Sequence, residues 1–426
     1  MILPNKTTPF LLLLVLSSIV NAEQAPLLTL QSAVDIAVQD NPSLAQIQAR
    51  SEALAAIPSQ VGTLPDPVIS FNALNLPVDT FNLGQENMTQ MQGGISQAFP
   101  FFGKLALREQ AANYQAEAAS YDVIEARFRL LRDVKKTWWA LFYLDRALEI
   151  IIVNQNLLRQ FVKIASTKYE VGEGLQQDVL LAQLELSKLL DTEIVLTGAI
   201  ATTKAQLNAL LDLPANHAIS LPKKTEEDLP DLQTESVLFA QAESYRALLG
   251  SKRETIHAAQ SRLDLAKKDY YPDFQVGAFY GGRADTLSGQ QRADFLSLKL
   301  SMTVPIFAAS KQRKAVDQRN SELMQQRYAL QDQWNNVRAE ISTAYSDFQQ
   351  TKNQTVLFKS GIIPQARQTV ASMLAGYQVN KVDFLNLVRS QITLYNYETQ
   401  YWKALTQANQ ALAQLTAVVG KEEIYE

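Results

Sequence analysis

Over residues 296–304 the chain alternates strictly: Leu296, Leu298, Leu300, Met302 and Val304 are apolar, while Ser297, Lys299, Ser301 and Thr303 between them are polar. A period of two predicts a strand with one apolar face. Residues 274–280 precede it across a loop containing Gly, Arg and Asp, and residues 68–73 and 90–99 form a rougher version of the same pair. Elsewhere the period lengthens. Val134, Trp138, Leu141, Leu148 and Ile152 recur at spacings of four and three or their sum, as do Val179, Ala182, Leu186, Leu189 and Leu196. These are narrow helical seams that need partner helices alongside.

Proline placement sets how long those helices run. An interior proline costs about 3 kcal/mol in a helix, and none occurs between Pro100 and Pro214, between Pro305 and Pro364, or after Pro364. Helix-favouring Ala, Leu, Gln, Glu, Lys and Arg dominate residues 104–168 and 176–211. A continuous helix over the first stretch would be about 100 Å long. Such an element is not the core of a compact globule.

The two halves of the chain resemble each other. Tyr169 and the turn after it align with Tyr377, and the same offset places Gln183 on Gln391, Leu186 on Leu394 and Leu207 on Leu415. Upstream, at slightly shorter offsets, Phe99-Pro100 aligns with Val304-Pro305 and Pro65-Asp66 with Pro272-Asp273. Each half reads helix, strand, strand, long helix, turn, returning helix: a duplication over residues 23–213 and 233–426, joined by a proline-containing connector at 214–232. Gly172 and Gly174 make the first turn; Gly376 precedes the second, where Asn380 stands in the place of Gly172. Asp178 and Asp383 are expected to cap the helices that leave these turns.

Composition narrows the function. Lys+Arg number 39 against Asp+Glu 43, a net charge of −4, with no run of like charge; nucleic acid is not an expected partner. With no cysteine there are no disulfides, thiolate metal sites or lipid-bearing cysteine, and His217 and His257 have no partner at ligand spacing. Phosphate-binding glycine loops, zinc-binding helix motifs and nucleophile elbows are missing, so neither catalysis nor a cofactor is expected. Lys6, the apolar run 10–16 and Val20-Asn21-Ala22 have the layout of a secretory signal over residues 1–22. No later segment has the roughly 18 apolar residues of a spanning helix, so any spanning part must be built from strands.

Strands of about 9–11 residues with one apolar face suit an outer-membrane barrel, with Leu296, Leu298, Leu300 and Met302 facing lipid. Phe99, Phe101, Phe102, Tyr270, Tyr271 and Phe307 cluster where strands give way to helices, at the level of an aromatic girdle. A single alternating strand fits a soluble sheet as well. Four strands, however, cannot close a barrel in lipid, and open edges there are prohibitive; three chains would supply twelve.

Over nearly the whole chain after the leader, the residues resemble the TolC family of outer-membrane efflux proteins. Leu28-Thr-Leu-Gln-Ser-Ala-Val-Asp-Ile-Ala-Val-Gln-Asp-Asn-Pro42, Leu207-Asn-Ala-Leu-Leu-Asp-Leu-Pro214 and the paired Tyr169 and Tyr377 turns carry the resemblance. It implies a mainly α fold with a small β part: a homotrimer whose twelve-stranded barrel in the outer membrane continues as a long helical barrel across the periplasm. It also implies docking of the tip turns (Tyr169, Gly172, Gly174, Tyr377, Asn380) to a periplasmic adaptor and an inner-membrane RND pump. Leu64-Pro-Asp-Pro-Val68, Asn75-Leu-Pro-Val-Asp-Thr-Phe81 and Ile95-Ser-Gln-Ala-Phe-Pro-Phe-Phe-Gly-Lys104 are similar to the branch serving heavy-metal efflux. No Cys or Met cluster supports metal binding, but an exit duct need not hold its cargo. Drug efflux and polypeptide secretion stay open, as does a soluble periplasmic coiled-coil adaptor, which would not need two strand pairs. The resemblance further implies an aperture of inward acidic residues at the tip. Here Asp178 and Asp383 remain, whereas Asn386 and Arg389 occupy positions the family often fills with Asp. Arg389 is therefore expected to pair with Asp178 or Asp383 across neighbouring helices, the alternative being caps and a solvated side chain.

Overall fold

The computed structural model describes residues 27–425, so the leader read over 1–22 lies outside the described residues. Helix α1 (Leu30–Val38) opens on Thr29, whose hydroxyl accepts the Ser32 N–H at 3.1 Å. Helix α2 (Pro42–Ala55) opens on an Asn41 cap with proline at its first position, and α3 (Ile57–Gly62) follows. Strands β1 (Val68–Leu74) and β2 (Gln90–Phe99) lead into α4 (Lys104–Glu170), a single helix of 67 residues. It is about 100 Å long at 1.5 Å per residue. Helix α5 (Gln176–Leu210) returns beside it.

The second half repeats the order with α6 (Glu235–Tyr245), α7 (Ala247–Lys268), β3 (Phe274–Gly282), β4 (Phe295–Met302), α8 (Gln312–Leu357), a π turn at Phe358–Ile362, α9 (Ile363–Gln378) and α10 (Phe384–Val419). The run from α8 to α9 starts and ends at the same offset from α4 that relates Tyr377 to Tyr169, with 46, 5 and 16 residues in its three parts. Pro364 is expected to bound this helix, yet the helical path continues through it. The π turn just upstream, where the Ile363 N–H reaches Phe358 O, accommodates a residue that has no N–H of its own.

The four strands form one antiparallel sheet in the order β1-β2-β3-β4. Its register places Ile69, Phe71, Ala73, Met91, Ile95, Val276, Ala278, Tyr280, Leu296, Leu298, Leu300 and Met302 on one face. Ser70, Asn72, Gln92, Ser96, Gln275, Ser297, Lys299 and Ser301 lie on the other. Strands β1 and β2 follow this alternation only in part: Gln97 joins the apolar face, and Val68, Leu74 and Ala98, with Phe279 and Phe295 of β3 and β4, join the other. Beyond the strands, Arg283 and Arg292 donate to Asn87 O and Glu86 O at 3.0 Å, tying the two hairpin loops together.

Apolar packing is spread along the helices. Trp138, Phe142, Leu207 and Leu405 are buried where α1, α4, α5 and α10 meet, and Leu238, Leu249, Ile341, Phe348 and Leu415 are buried among α6, α7, α8 and α10. One seam residue departs from expectation: Ile152 is 42% exposed while Ile151 is 4% exposed. The buried line on α4 slips by one residue there, because its neighbours change from the α1 cluster to the cluster nearest the turns.

Candidate functional site: the helical tip and the strand–helix junction

The turns after α4 and α9 lie at the end of the molecule remote from the sheet, and they share one backbone design. Gly172 N–H donates to Tyr169 O at 3.1 Å and Glu173 N–H to Lys168 O at 2.8 Å. At the matching place in the second repeat, Asn380 N–H donates to Tyr377 O at 3.2 Å and Lys381 N–H to Gly376 O at 2.9 Å. These are Schellman closures, which need one left-handed residue. Gly172 supplies it at φ 78° and Asn380 at φ 58°. Gly172→Ala is therefore expected to cost the first turn about 1–2 kcal/mol, whereas Asn380→Gly should leave the second intact. Faster amide exchange at Glu173 in the alanine variant, and unchanged exchange at Lys381 in the glycine variant, would show it.

The other glycines are positioned by close approach. A Cβ on Gly174 would come within 2.9 Å of Lys168 Cβ, and one on Gly376 within 2.6 Å of a Val382 methyl. Since Lys168 aligns with Gly376 and Gly174 with Val382, each turn brings the same two positions together and one of them lacks a side chain. The first turn keeps the lysine; the second keeps the valine.

That retained Lys168 joins the turns. Its ammonium donates to Tyr377 O at 3.2 Å and to Asn380 Oδ1, and sits 4.6 Å from the centre of the Tyr377 ring. Tyr377 is buried and packs against Phe384 at 5.3 Å, which in turn meets Phe161 at 6.3 Å. Tyr169, its counterpart in the first turn, is 48% exposed. Above these rings Gln391 donates to Asn154 Oδ1 at 2.7 Å, a buried polar link from α10 to α4.

The two acidic residues differ in role. Asp383 caps α10, accepting Asn386 N–H at 2.8 Å and Asn386 Nδ2 at 3.0 Å. Asp178 does not cap α5: the capping position is Leu175, without a side-chain acceptor, and Asp178 sits three residues in. The extended residue after Gly174 starts the helix early, leaving Asp178 to complement the helix dipole from the first turn. Burial pushes the Asp178 carboxyl above its usual range; the Leu175 backbone opposes this and the Asp383 carboxylate adds to it. Tyr377 is raised by burial and by Asp178. Arg389 is exposed and makes no ion pair within the chain among the described residues. The structure thus gathers Lys168, Asp178, Tyr377, Asn380, Asp383 and Asn386 at the tip and leaves Arg389 on the surface of one protomer.

Where sheet meets helices, a second cluster fixes the joint. Lys104, 3% exposed, reaches Asp273 at 2.9 Å and Asp269 at 3.2 Å, while Phe101 N–H donates to Asp273 Oδ1 at 2.7 Å. Phe101 stacks on Tyr271 at 4.5 Å. Phe102 and Phe307 project outward at 84% and 67% exposure, as girdle residues would, and Leu296, Leu298, Leu300 and Met302 are 61–80% exposed on the apolar face. Neither Lys168 nor Lys104 carries a sequence signal of its own beyond its place in the repeat.

The model of the outer membrane efflux protein family matches residues 33–212 and 238–421. The cobalt-zinc-cadmium resistance protein CzcC of Cupriavidus metallidurans is 21% identical over 406 residues, spanning 94% of this chain and 91% of that protein. Among solved structures, the outer-membrane channel OprN superposes with a TM-score of 0.78 at 17% identity, over 92% of this chain and 89% of its own. The outer membrane protein VceC from Vibrio cholerae gives 0.78 at 17% identity over 92% and 97%, and CusC gives 0.76 at 15% over 92% and 92%. With both repeats matched and the fold shared from sheet to tip, this chain belongs to the outer membrane efflux protein family.

Proposed function

We propose that the chain is the exit duct of a tripartite efflux system: a homotrimer in the outer membrane that receives substrate from a periplasmic adaptor and an inner-membrane RND pump and passes it outward without catalysis. The observation that carries this reading is the sheet, mainly apolar on one face and richer in polar residues on the other, continued by helices of about 100 Å. One face suits lipid, the other a water-filled lumen, and the helices suit a tunnel through the periplasm. The paired tip turns are the docking surface for the adaptor. Similarity to CzcC over nearly the full length favours divalent heavy-metal cations as cargo over drugs or polypeptides.

A strain lacking the chain is expected to become sensitive to cobalt, zinc and cadmium, with tolerance restored by the intact gene. Sensitivity confined to organic drugs would overturn the cargo assignment while leaving the duct. The tip is proposed as the aperture, with Arg389 reaching Asp178 or Asp383 of a neighbouring protomer. A half-solvated pair of this kind is worth about 0–1 kcal/mol, weak enough for adaptor contacts to open. Arg389→Ala and Asp178→Ala should each raise single-channel conductance in planar bilayers; unchanged conductance in both would remove the pair from the aperture.

A further inference from the structure

Charge is almost absent from the sheet. Over Val68–Leu74, Gln90–Phe99, Phe274–Gly282 and Phe295–Met302 the strands hold a single charged residue, Lys299. Its neighbours along β4, Leu298 and Leu300, lie on the apolar face, so the lysine lies on the other. There it stands opposite Gly277, which pairs in turn with Ser96, and Ser96 with Val68. Lys299 is exposed and makes no ion pair among the described residues. The sheet does not need this ammonium. Serine, as at 297 and 301, would complete the alternation equally well.

The next charge along this face has the same sign. Arg283, two residues beyond Gly281, lays its guanidinium over the Phe295 ring at 4.1 Å and donates to Ala293 O at 2.6 Å and Asn87 O at 3.0 Å. Asp294 accepts the Arg283 main-chain N–H at 2.9 Å and also the Tyr280 hydroxyl. Tyr280 belongs to the apolar face, so that carboxylate is drawn away from Lys299. Exposed Asp79 and Glu86 lie in the first hairpin loop, past the ends of β1 and β2.

We infer that Lys299 is the charge-selecting residue of the barrel lumen, part of a cationic ring that takes small inorganic anions and repels free divalent cations. This inference rests on the duct reading, which turns the apolar face to lipid and sets one such ammonium per copy around a water-filled bore. Rings of lysine or arginine select anions in pores, and low-dielectric walls without countercharge carry their field across the bore. Three ammoniums about 10 Å from the axis of a twelve-stranded barrel, in about 0.1 M salt, raise a monovalent anion at the centre roughly twofold and lower a monovalent cation by the same factor. A divalent cation is lowered by the square of that factor, because the energy scales with its charge. Metal delivered by a pump is driven past such a ring, whereas metal outside meets it unaided. The ring therefore slows passive return of a cationic cargo even when the tip is open.

Reversal potentials of the full chain in planar bilayers under a KCl gradient test this. Lys299→Gln should lower the chloride-to-potassium permeability ratio about fourfold, Lys299→Glu should lower it further, and Lys299→Arg should keep the parent value. With MgCl2 the chloride-to-magnesium ratio should fall about eightfold in Lys299→Gln, and both losses should shrink as salt is raised. Comparing variants cancels the carboxylates of the loops and the tip, which all of them share. Unchanged ratios in Lys299→Gln and Lys299→Glu, in pores of parental conductance, would overturn the ring and leave the duct standing. An equal drop in Lys299→Arg would assign the effect to side-chain shape and overturn it as well. A chain that opens no ion-conducting pore refutes both ring and duct.

Discussion

Glu125→Ala is expected to lower the stability of the protein by about 3–5 kcal/mol, the usual loss when one partner of a buried ion pair is removed. Glu125 of α4 and Arg246 at the corner between α6 and α7 are 4% and 7% exposed, with Arg246 Nη2 at 2.9 Å from Glu125 Oε1. Arg246 Nη1 donates to Ala417 O near the end of α10, and its Nε has no partner. Removing the carboxylate leaves a guanidinium held by one carbonyl in a site where burial already pushes its pKa down. Arg129, the other partner of Glu125 at 2.9 Å, is half-exposed and would turn to solvent. Replacing both members, Glu125→Met with Arg246→Met, should recover most of the loss, because the desolvation of both charges is then relieved. Denaturant unfolding in detergent, followed by the fluorescence of buried Trp138 and Trp139, measures both. Equal losses in the single and double variants would show that the pair does not act as a unit. The pair joins the long helix of the first repeat to the corner and the last helix of the second, so its disruption should loosen the alignment of the repeats before it melts either.

That pair also marks the boundary of what the sequence reveals. Strand β4 and helices α4 and α5 announce themselves because period-two alternation and proline-free, helix-favouring runs are local properties summed over many residues. The repeat is legible because two turns at matching places in the halves require the same backbone, and Asn380 substitutes for Gly172 for a stated conformational reason. Contacts resting on one side chain and a distant partner leave no such trace. Glu125 and Arg246 are 121 residues apart, and Lys168 and Asn380 are 212 apart. Asp178 reads as a cap from its neighbourhood, and only the extended Leu175 backbone reassigns it. The exchange of Lys168 and Gly174 for Gly376 and Val382 is visible in the aligned repeats, but its meaning depends on knowing that these positions touch.

Lys168→Glu is expected to open the tip, raising single-channel conductance several-fold in planar bilayers, with Lys168→Met giving a smaller rise. Among the described residues its ammonium is the cation that joins the two turns: it meets Tyr377 O, Asn380 Oδ1 and the face of the Tyr377 ring, all electron-rich. Hydrogen bonds to a charged group contribute about 1.5–3 kcal/mol each when buried, and less here because Lys168 is half-exposed. A carboxylate in its place would face those same groups, reversing every sign. Methionine keeps the stem packing and forfeits only the attraction. The same cluster gives a pH dependence through Asp178. Its carboxyl is raised by burial and by Asp383 despite the Leu175 backbone, so the packed tip holds that proton more tightly than an opened one does. The packed tip is therefore favoured below the raised pKa, and that advantage is lost as pH rises through it. The sign of the trend separates the two aperture pairs: conductance should climb with pH across this window where Arg389 meets Asp383, and fall where it meets Asp178, whose ionisation then closes the tip; Asp178→Asn should flatten either trend while leaving the rise caused by Lys168→Glu in place. A pH profile unchanged by Asp178→Asn would assign the titration to another group, and a Lys168→Glu channel as closed as the parent would show that the joined turns do not restrict flow.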